Sequence, residues 1–198
     1  MVYDATKSGV NEATWAPSFF LPTIDSVLRN AGLTSYFGDI DLGDMFLNYF
    51  LHEKLRPYVG VDVTEISDLL NKGNEETTAK RTIMRWERSL MGLRPSPYNC
   101  TRTFAWSEDF IRGDRTDANN RLAWDKVVLN LPGSDDYDPS KPWVCKYDSK
   151  RDKMAAFFGT YVDDIRTGDS TRKDCERTTH VIASIINYLG QQDAPGKR

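Results

Sequence analysis

The chain has 198 residues, of which 39% are hydrophobic and 28% charged, and its formal net charge is −3. That length suffices for one or two compact units with a buried core, and this composition excludes low-complexity and intrinsically disordered proteins. No apolar run approaches the ~20 residues of a membrane-spanning helix, and the N-terminus lacks the basic and apolar regions of a secretory signal. We therefore expect a cytoplasmic or nuclear protein without a membrane partner.

The cysteines and histidines do not indicate a zinc site or a disulfide framework. Cys100, Cys145 and Cys175 are widely spaced, and the two histidines are His52 and His180. This arrangement has neither a zinc-ligand spacing nor an even number of cysteines. We expect Cys100 to be a small core residue on a helix.

The first predicted elements are a short helix, a strand and a helical turn. Residues Thr23–Asn30 place apolar side chains at helical spacing, and Gly32 is suited to ending that helix. The aromatic and aliphatic character of Ser35–Leu42 predicts a buried strand with Asp41 at its C-terminal end. A short helical turn is expected after Asp44.

The middle of the chain is predicted to contain a strand and two helices. Arg56–Val63 alternates as a strand does, and Glu65–Leu90 is predicted to be helical. The basic face of this second segment either contacts solvent or binds phosphate groups. A further helix is predicted from Ser96 to a stop at Gly113.

Residues 113–152 are predicted to form a mainly polar segment with two short strands. These strands are expected at Val127–Leu131 and Trp143–Tyr147, followed by a turn over 148–152.

The last part of the chain predicts a hairpin and a helix. Met154–Val162 and Ile165–Thr167 are the expected strands, with Asp163 and Asp164 as the turn. A helix is predicted to begin near Ser170 and to end at Gly190. Its predicted apolar stripe is Val181, Ile182, Ile185, Ile186 and Leu189. The element order fits an α+β fold with helices packed on one face of an antiparallel sheet.

Two acidic clusters stand at the ends of strand-like segments, and together they indicate a metal site. Asp163 and Asp164 have apolar residues on both sides, and a second cluster begins at Asp41. Carboxylates are the ligands that Mg²⁺ prefers, and two such ions can clamp the attacking and leaving oxygens of a displacement at phosphorus. Asp135 and Asp136, in contrast, lie in a Gly/Pro/Ser-rich stretch that predicts an exposed loop.

These clusters also resemble motifs of one enzyme family, the reverse transcriptases. The segment Tyr161–Asp164 resembles the central tetrapeptide of the family, and Asp41–Phe46 resembles its first aspartate motif. Met91–Pro97 resembles the segment in which a Gln-Gly pair precedes Ser-Pro. Asp4, Asn11 and Leu21–Leu28 resemble the lead-in from fingers to palm. The four motifs occur in the family's order over nearly the whole chain.

The resemblance implies an α+β polymerase palm, with an antiparallel sheet, helices on one face and partial fingers. The chain 1–198 would be a single domain fragment. Fingers-like parts would be 1–30 and 62–90, and palm-like parts 31–61 and 91–198 with an insertion at about 113–152. A thumb and further polyprotein modules would be missing.

The activity implied is that of an RNA-directed DNA polymerase from a retroelement, which adds deoxynucleotides to a primer 3′-hydroxyl. Its partners would be an RNA or DNA template with primer and deoxynucleoside triphosphates, and its cofactor two Mg²⁺ ions, with Mn²⁺ as a substitute. Asp41 and Asp163 would hold both ions and Asp164 would assist them. The implied metal-ligating set also includes Leu42.

The implied binding residues form two further sets. The nucleotide-binding set is Gly43, Asp44, Met45, Phe46, Met91, Gly92 and Lys197. The nucleic-acid-binding set is Tyr161, Val162 and Arg94. Phe46 would reject a ribose 2′-hydroxyl or serve as a core aromatic. Lys197 would neutralise departing pyrophosphate or be a free terminal lysine.

The chain departs from the family pattern at Met91, which stands where the family has glutamine. A thioether cannot supply the hydrogen bonds of an amide. Met91 and the missing thumb support one alternative, a catalytically inactive remnant that acts as a nucleic-acid-binding or assembly module. A two-metal nuclease is a further alternative, for which no histidine or additional acidic motif speaks.

Overall fold

The helices and strands of the computed structural model are numbered here along the chain. The helices with both ends in the described residues are α1 (Val10–Ala13), α2 (Ile24–Asn30), α3 (Ser96–Arg112) and α4 (Arg172–Tyr188), and residues 64–66 are also helical. The strands are β1 (Tyr36–Asp41), β2 (Gly60–Asp62), β3 (Ile83–Arg85), β4 (Lys126–Leu129), β5 (Val144–Asp148), β6 (Lys153–Met154), β7 (Phe157–Tyr161) and β8 (Asp164–Asp169). Short 3₁₀ helices occupy Met45–Asn48 and Arg56–Tyr58. The structure describes residues 3–31, 36–66, 81–192 and 194.

The chain divides into two compact units. The first unit comprises residues 1–18 and 46–100, and the second comprises residues 19–45 and 101–198. The described part is a mixed α/β structure with small antiparallel sheets and helices. No helix in these described ranges is long and apolar enough to cross a membrane.

The second unit is built on a three-stranded antiparallel sheet in the order β1-β8-β7. Helix α4 packs against β1 and β8. Ile40 and Ile165 of the sheet and Ile182 and Ile186 of α4 are almost fully buried, so apolar burial holds these elements together. The strand before Asp41 is confirmed, but it is not the buried strand expected, since Ile40 is its one fully buried described residue. The hairpin of β7 and β8 is confirmed, whereas the predicted strand Met154–Val162 is two strands, β6 and β7, in different sheets.

The hairpin turn lies one residue earlier than the sequence pattern predicts. Tyr161 pairs with Asp164, so the two turn residues are Val162 and Asp163, and Asp164 is the first residue of β8. Val162 has φ 56°. A positive φ at the first of two turn residues matches a type II′ turn, whose twist suits a hairpin.

Helix α4 differs from its prediction at its start and in its buried stripe. Thr171, rather than Ser170, caps the helix by accepting a hydrogen bond from the Asp174 amide at 3.1 Å. Val181, expected in the apolar stripe, is 52% exposed. The buried face is instead Cys175, Thr178, Ile182, Ala183 and Ile186. The helix is followed by Gly190 with φ 78°, as predicted for a glycine C-cap.

Strands β4 and β5 of the 113–152 segment form a second antiparallel sheet with β6, which follows the segment, and this confirms the two predicted strands. Arg121 of this segment forms an ion pair with Asp169 at the end of β8. The Asp169 side chain is 2% exposed. This pair therefore ties the insertion to the central sheet.

The first unit contains a two-stranded antiparallel sheet, β2 with β3. The predicted helix over Glu65–Leu90 is borne out at its start, where residues 64–66 are helical. It is wrong at β3, because Ile83–Arg85 forms backbone hydrogen bonds with Gly60–Asp62 instead of within a helix. Residues 67–80 of that prediction lie outside the described residues, as does Gly32.

The core of the first unit collects side chains from distant parts of the sequence. Its buried members are Ala5, Leu51, Val59, Leu90 and Leu93. Cys100 of α3 is fully buried, as predicted, and burial raises the pKa of its thiol to about 12.

Candidate functional site

The central sheet has one face toward the helix and one open face that carries charged residues. Because side chains alternate along a strand, Ile40 and Ile165 face the same side, and both are buried. The opposite face receives Asp41 from β1 and Asp164 from β8, with Asp39 and Arg166 two positions along. The acidic motifs thus meet on one face.

Asp41 and Asp164 are direct partners in the β1–β8 register. The Leu42 amide donates to the Asp163 carbonyl at 2.9 Å, so the neighbouring pair is hydrogen-bonded. Since hydrogen-bonded and non-hydrogen-bonded pairs alternate, Asp41 and Asp164 form a non-hydrogen-bonded pair, in which side chains approach most closely. Like charges in this position are destabilising, and a bound cation would reverse that effect.

An ion pair stands beside these two carboxylates. Arg166 donates from Nε and Nη2 to Asp39 at 2.7 and 3.2 Å. The hydrogen bond to Asp39 raises the pKa of Arg166, and the charge of Asp164 adds a smaller effect in the same direction. Arg166 therefore supplies positive charge next to Asp164.

The other residues of the tetrapeptide lie at the hairpin tip. Asp163 occupies the turn, and its carbonyl is bonded to the Leu42 amide. Tyr161 ends β7 and is 53% exposed. The residue opposite Asp41 is thus Asp164, whereas the resemblance gives the shared ligand role to Asp163.

A C-terminal segment pairs with the outer edge of β1. The Gly43 amide donates to the Gln192 carbonyl at 2.8 Å, and the Ala194 amide donates to the Asp41 carbonyl at 2.9 Å. The Gly43 amide is therefore engaged within the protein rather than directed to a triphosphate. Asp44 is exposed with φ 47°, and Met45 is buried.

An open cleft of about 970 Å³ borders the acidic face. Asp41, Asp164 and Tyr161 line its sheet side, and Ile24 and Leu28 of α2 line the other. Its volume lies at the upper end of the range typical of small-molecule sites. Acidic and apolar surfaces thus share one cleft.

The other predicted site residues that the structure describes belong to the first unit. Phe46 is half-buried in the 3₁₀ helix after Met45. Met91 is 55% exposed, and Arg94 is exposed. Lys197 lies outside the described residues.

Gly92 and Arg94 are fixed by the N-terminal segment. The Asn11 side chain donates to the Gly92 carbonyl at 3.0 Å and accepts from the Arg94 amide at 2.7 Å. Gly92 has φ 97°, and a Cβ there would lie 1.9 Å from the Tyr3 carbonyl oxygen. In this structure Gly92 is required for backbone packing.

The donor set of the acidic face fits Mg²⁺. Mg²⁺ is commonly held by one or two carboxylates together with water and substrate phosphates. Asp41 and Asp164 supply two carboxylates on one face, and Asp163 precedes Asp164 in the hairpin turn. Within the ranges that the structure describes, no three His, Cys, Asp or Glu side chains are grouped to hold a metal.

Sequence reasoning did not identify Asp39 and Arg166 as site residues. A signal was present, because Asp39 and Asp41, like Asp164 and Arg166, are two positions apart and share a strand face. Pairing them required the strand register. The Thr160 hydroxyl also donates a hydrogen bond to the Glu108 carboxylate of α3, and no pattern of neighbouring residues in the sequence indicates this contact.

No protein-family model matches the chain, and no curated protein matches it.

Proposed function

We propose that the chain is a nucleotidyltransferase domain of the reverse transcriptase kind, with the polymerase palm as its fold. The observation that carries this proposal is the direct pairing of Asp41 with Asp164 on the open face of the β1-β8-β7 sheet. Two motifs distant in sequence supply these carboxylates. Their charges are best accommodated with divalent cations between them.

The proposed reaction is attack by a primer 3′-hydroxyl on the α-phosphorus of a deoxynucleoside triphosphate, with pyrophosphate as the leaving group. Asp41, Asp163 and Asp164 would hold two Mg²⁺ ions, or Mn²⁺ in their place. When bound, such ions lower the pKa of the hydroxyl and neutralise phosphate charge.

The chain's own side chains would orient the substrates. Tyr161 offers an exposed ring beside Asp164 on which a base or sugar at the primer end can pack. Ile24 and Leu28 provide an apolar wall across the cleft. The guanidinium of Arg166, held by Asp39, offsets negative charge near Asp164.

The test is primer extension on an RNA template with Mg²⁺ or Mn²⁺, together with direct Mn²⁺ titration by electron paramagnetic resonance. We expect Asp41→Asn and Asp164→Asn to lose Mn²⁺ affinity and to reduce extension by about a hundredfold or more, as changes around metal sites do. Asp163→Asn tests the turn carboxylate. Asp136→Asn removes the same charge in an exposed loop and should match the parent.

Each other outcome has a distinct meaning. Absence of both extension and Mn²⁺ binding in the parent contradicts the proposal. Mn²⁺ and nucleic-acid binding without extension favours the inactive binding or assembly module, which the methionine at position 91 supports. Cleavage without extension favours a nuclease.

A further inference from the structure

A second cavity, of about 380 Å³, lies in the second unit between the segment before α2, helix α3 and strand β7. Aromatic rings, including Phe104 and Phe158, form much of its wall, and its volume is typical of small-molecule sites. Three charged side chains also line it: Glu108, Arg112 and Lys146. Asp41 and Asp164 are not among its lining residues, but Pro22, Val27, Gly159 and Thr160 line both cavities, so this cavity adjoins the acidic cleft without containing its carboxylates.

Arg112 lies over an aromatic ring and near a carboxylate. Its guanidinium carbon lies 4.9 Å from the centroid of Phe158. The Glu108 carboxylate is 4.0 Å away, beyond hydrogen-bond distance, and the Thr160 hydroxyl donates to that carboxylate. Glu108 therefore offsets part of the charge of Arg112 but accepts no hydrogen bond from it at this distance.

Lys146 has no carboxylate partner among the residues described. Its ammonium lies 5.5 Å from the centroid of Trp124. Burial lowers the pKa of Lys146, and the positive charge of Arg112 lowers it further. Two half-buried cations are thus close enough to repel each other, and both also line a smaller neighbouring cavity.

We propose that this cavity binds a small organic oxyanion, a carboxylate or phosphate carried on an apolar body. Arg112 and Lys146 would bind the oxyanion, since a guanidinium matches its paired oxygens and an ammonium adds a point charge. The aromatic wall would receive the apolar body. The bound anion would remove the repulsion between the two cations.

The test is calorimetric titration of the full chain with benzoate and with phenyl phosphate, which carry the two candidate oxyanions on the same ring. Neutral benzamide is the control ligand. We expect saturable binding of at least one anion and none of benzamide. Lys146→Met keeps the apolar stem and should weaken binding at least about tenfold, the cost of one lost charged hydrogen bond.

Matched variants separate the proposed contact from general charge effects. Lys126→Met removes an exposed lysine from β4 of the same sheet and should bind as the parent does. Lys146→Arg should retain binding. If Lys146→Met fails to fold by circular dichroism, Arg112→Lys, which loses the planar fork, should weaken binding severalfold.

Three results would overturn the proposal. They are failure of both anions to bind, equal binding of benzamide, and equal effects of Lys126→Met and Lys146→Met.

Discussion

Val162 and Gly92 both have a positive φ, but valine tolerates this backbone conformation poorly and glycine tolerates it well. Val162, with φ 56°, is a β-branched residue in a conformation that L-residues avoid, and it lies next to Asp163. Strain of this kind is often found at functional sites. Gly92, with φ 97°, is suited to its conformation and is also crowded by the Tyr3 backbone.

Replacing Val162 should reverse the usual order of alanine and glycine. Val162→Ala and Val162→Gly lose nearly the same packing, but only glycine relieves the backbone strain. We expect Val162→Gly to have the higher free energy of unfolding, by about 1 kcal/mol. Urea denaturation followed by circular dichroism measures this difference, and an alanine variant as stable as the glycine variant would contradict it.

Replacing Gly92 with alanine should be strongly destabilising. The strain of a positive φ adds to the clash with Tyr3, and together we expect a loss of about 2–4 kcal/mol. Gly133→Ala is the matched control, because Gly133 has φ 91° and no atom within 4 Å of a built Cβ. That variant should lose about 1 kcal/mol. Equal losses in the two variants would show that the close approach of Tyr3 has no effect.

At the scale of elements, a buried ion pair joins the 113–152 segment to the central sheet. Arg121 donates from Nε to Asp169 at 3.1 Å and also bonds through Nη2. The side chains of the pair are 19% and 2% exposed, respectively. A buried pair of this kind is costly to break from one side, because the remaining charge stays buried.

Arg121→Met should therefore destabilise the protein by about 3 kcal/mol. Arg166→Met breaks a pair whose side chains are 57% and 65% exposed, and it should cost less than about 1 kcal/mol. Denaturant titrations of both variants measure the two losses. Similar losses in the two variants would mean that burial does not make the Arg121–Asp169 pair more costly to break than the exposed pair.

At the scale of the whole molecule, hydrogen-bonded surface carboxylates couple stability to pH. Hydrogen bonds from Thr64, then from Arg81, lower the pKa of Asp62 to about 2. Hydrogen bonds from Ser140, then from Lys141, lower the pKa of Asp138 to about 2. Both groups are ionised in the folded state at pH values where the unfolded chain begins to take up protons.

The sign of the pH dependence follows from these lowered values. Their stabilising effect is complete above the unfolded pKa of about 4 and is lost as the pH falls toward 2. We expect the free energy of unfolding to decrease across this window. Asp138→Asn should flatten that decrease, with parent and variant converging near pH 2. Urea titrations at several pH values measure this pH dependence of the free energy of unfolding. If the dependence were the same in Asp138→Asn as in the parent, Asp138 would not be one of its sources.

Local signals were sufficient for several elements. The α2 and α3 positions, the hairpin, the insertion strands and the Gly190 helix stop follow from side-chain spacing and turn residues near each other in sequence. The Ile83–Arg85 strand was missed, because its backbone partner, Gly60–Asp62, is distant in sequence. Val181 was misassigned because helical spacing alone does not say which part of an apolar stripe meets the sheet.

The sequence by itself determined that acidic motifs end two strand-like segments, and which residue types they contain. Only the tertiary structure decided that Asp164 is the partner of Asp41, and that Arg166 and Asp39 join them on one face. A one-residue change of register moves a side chain to the other face of a sheet. The register depends on how the β1 and β8 backbones pair and on the burial of Ile40 and Ile165, which are contacts between distant parts of the chain.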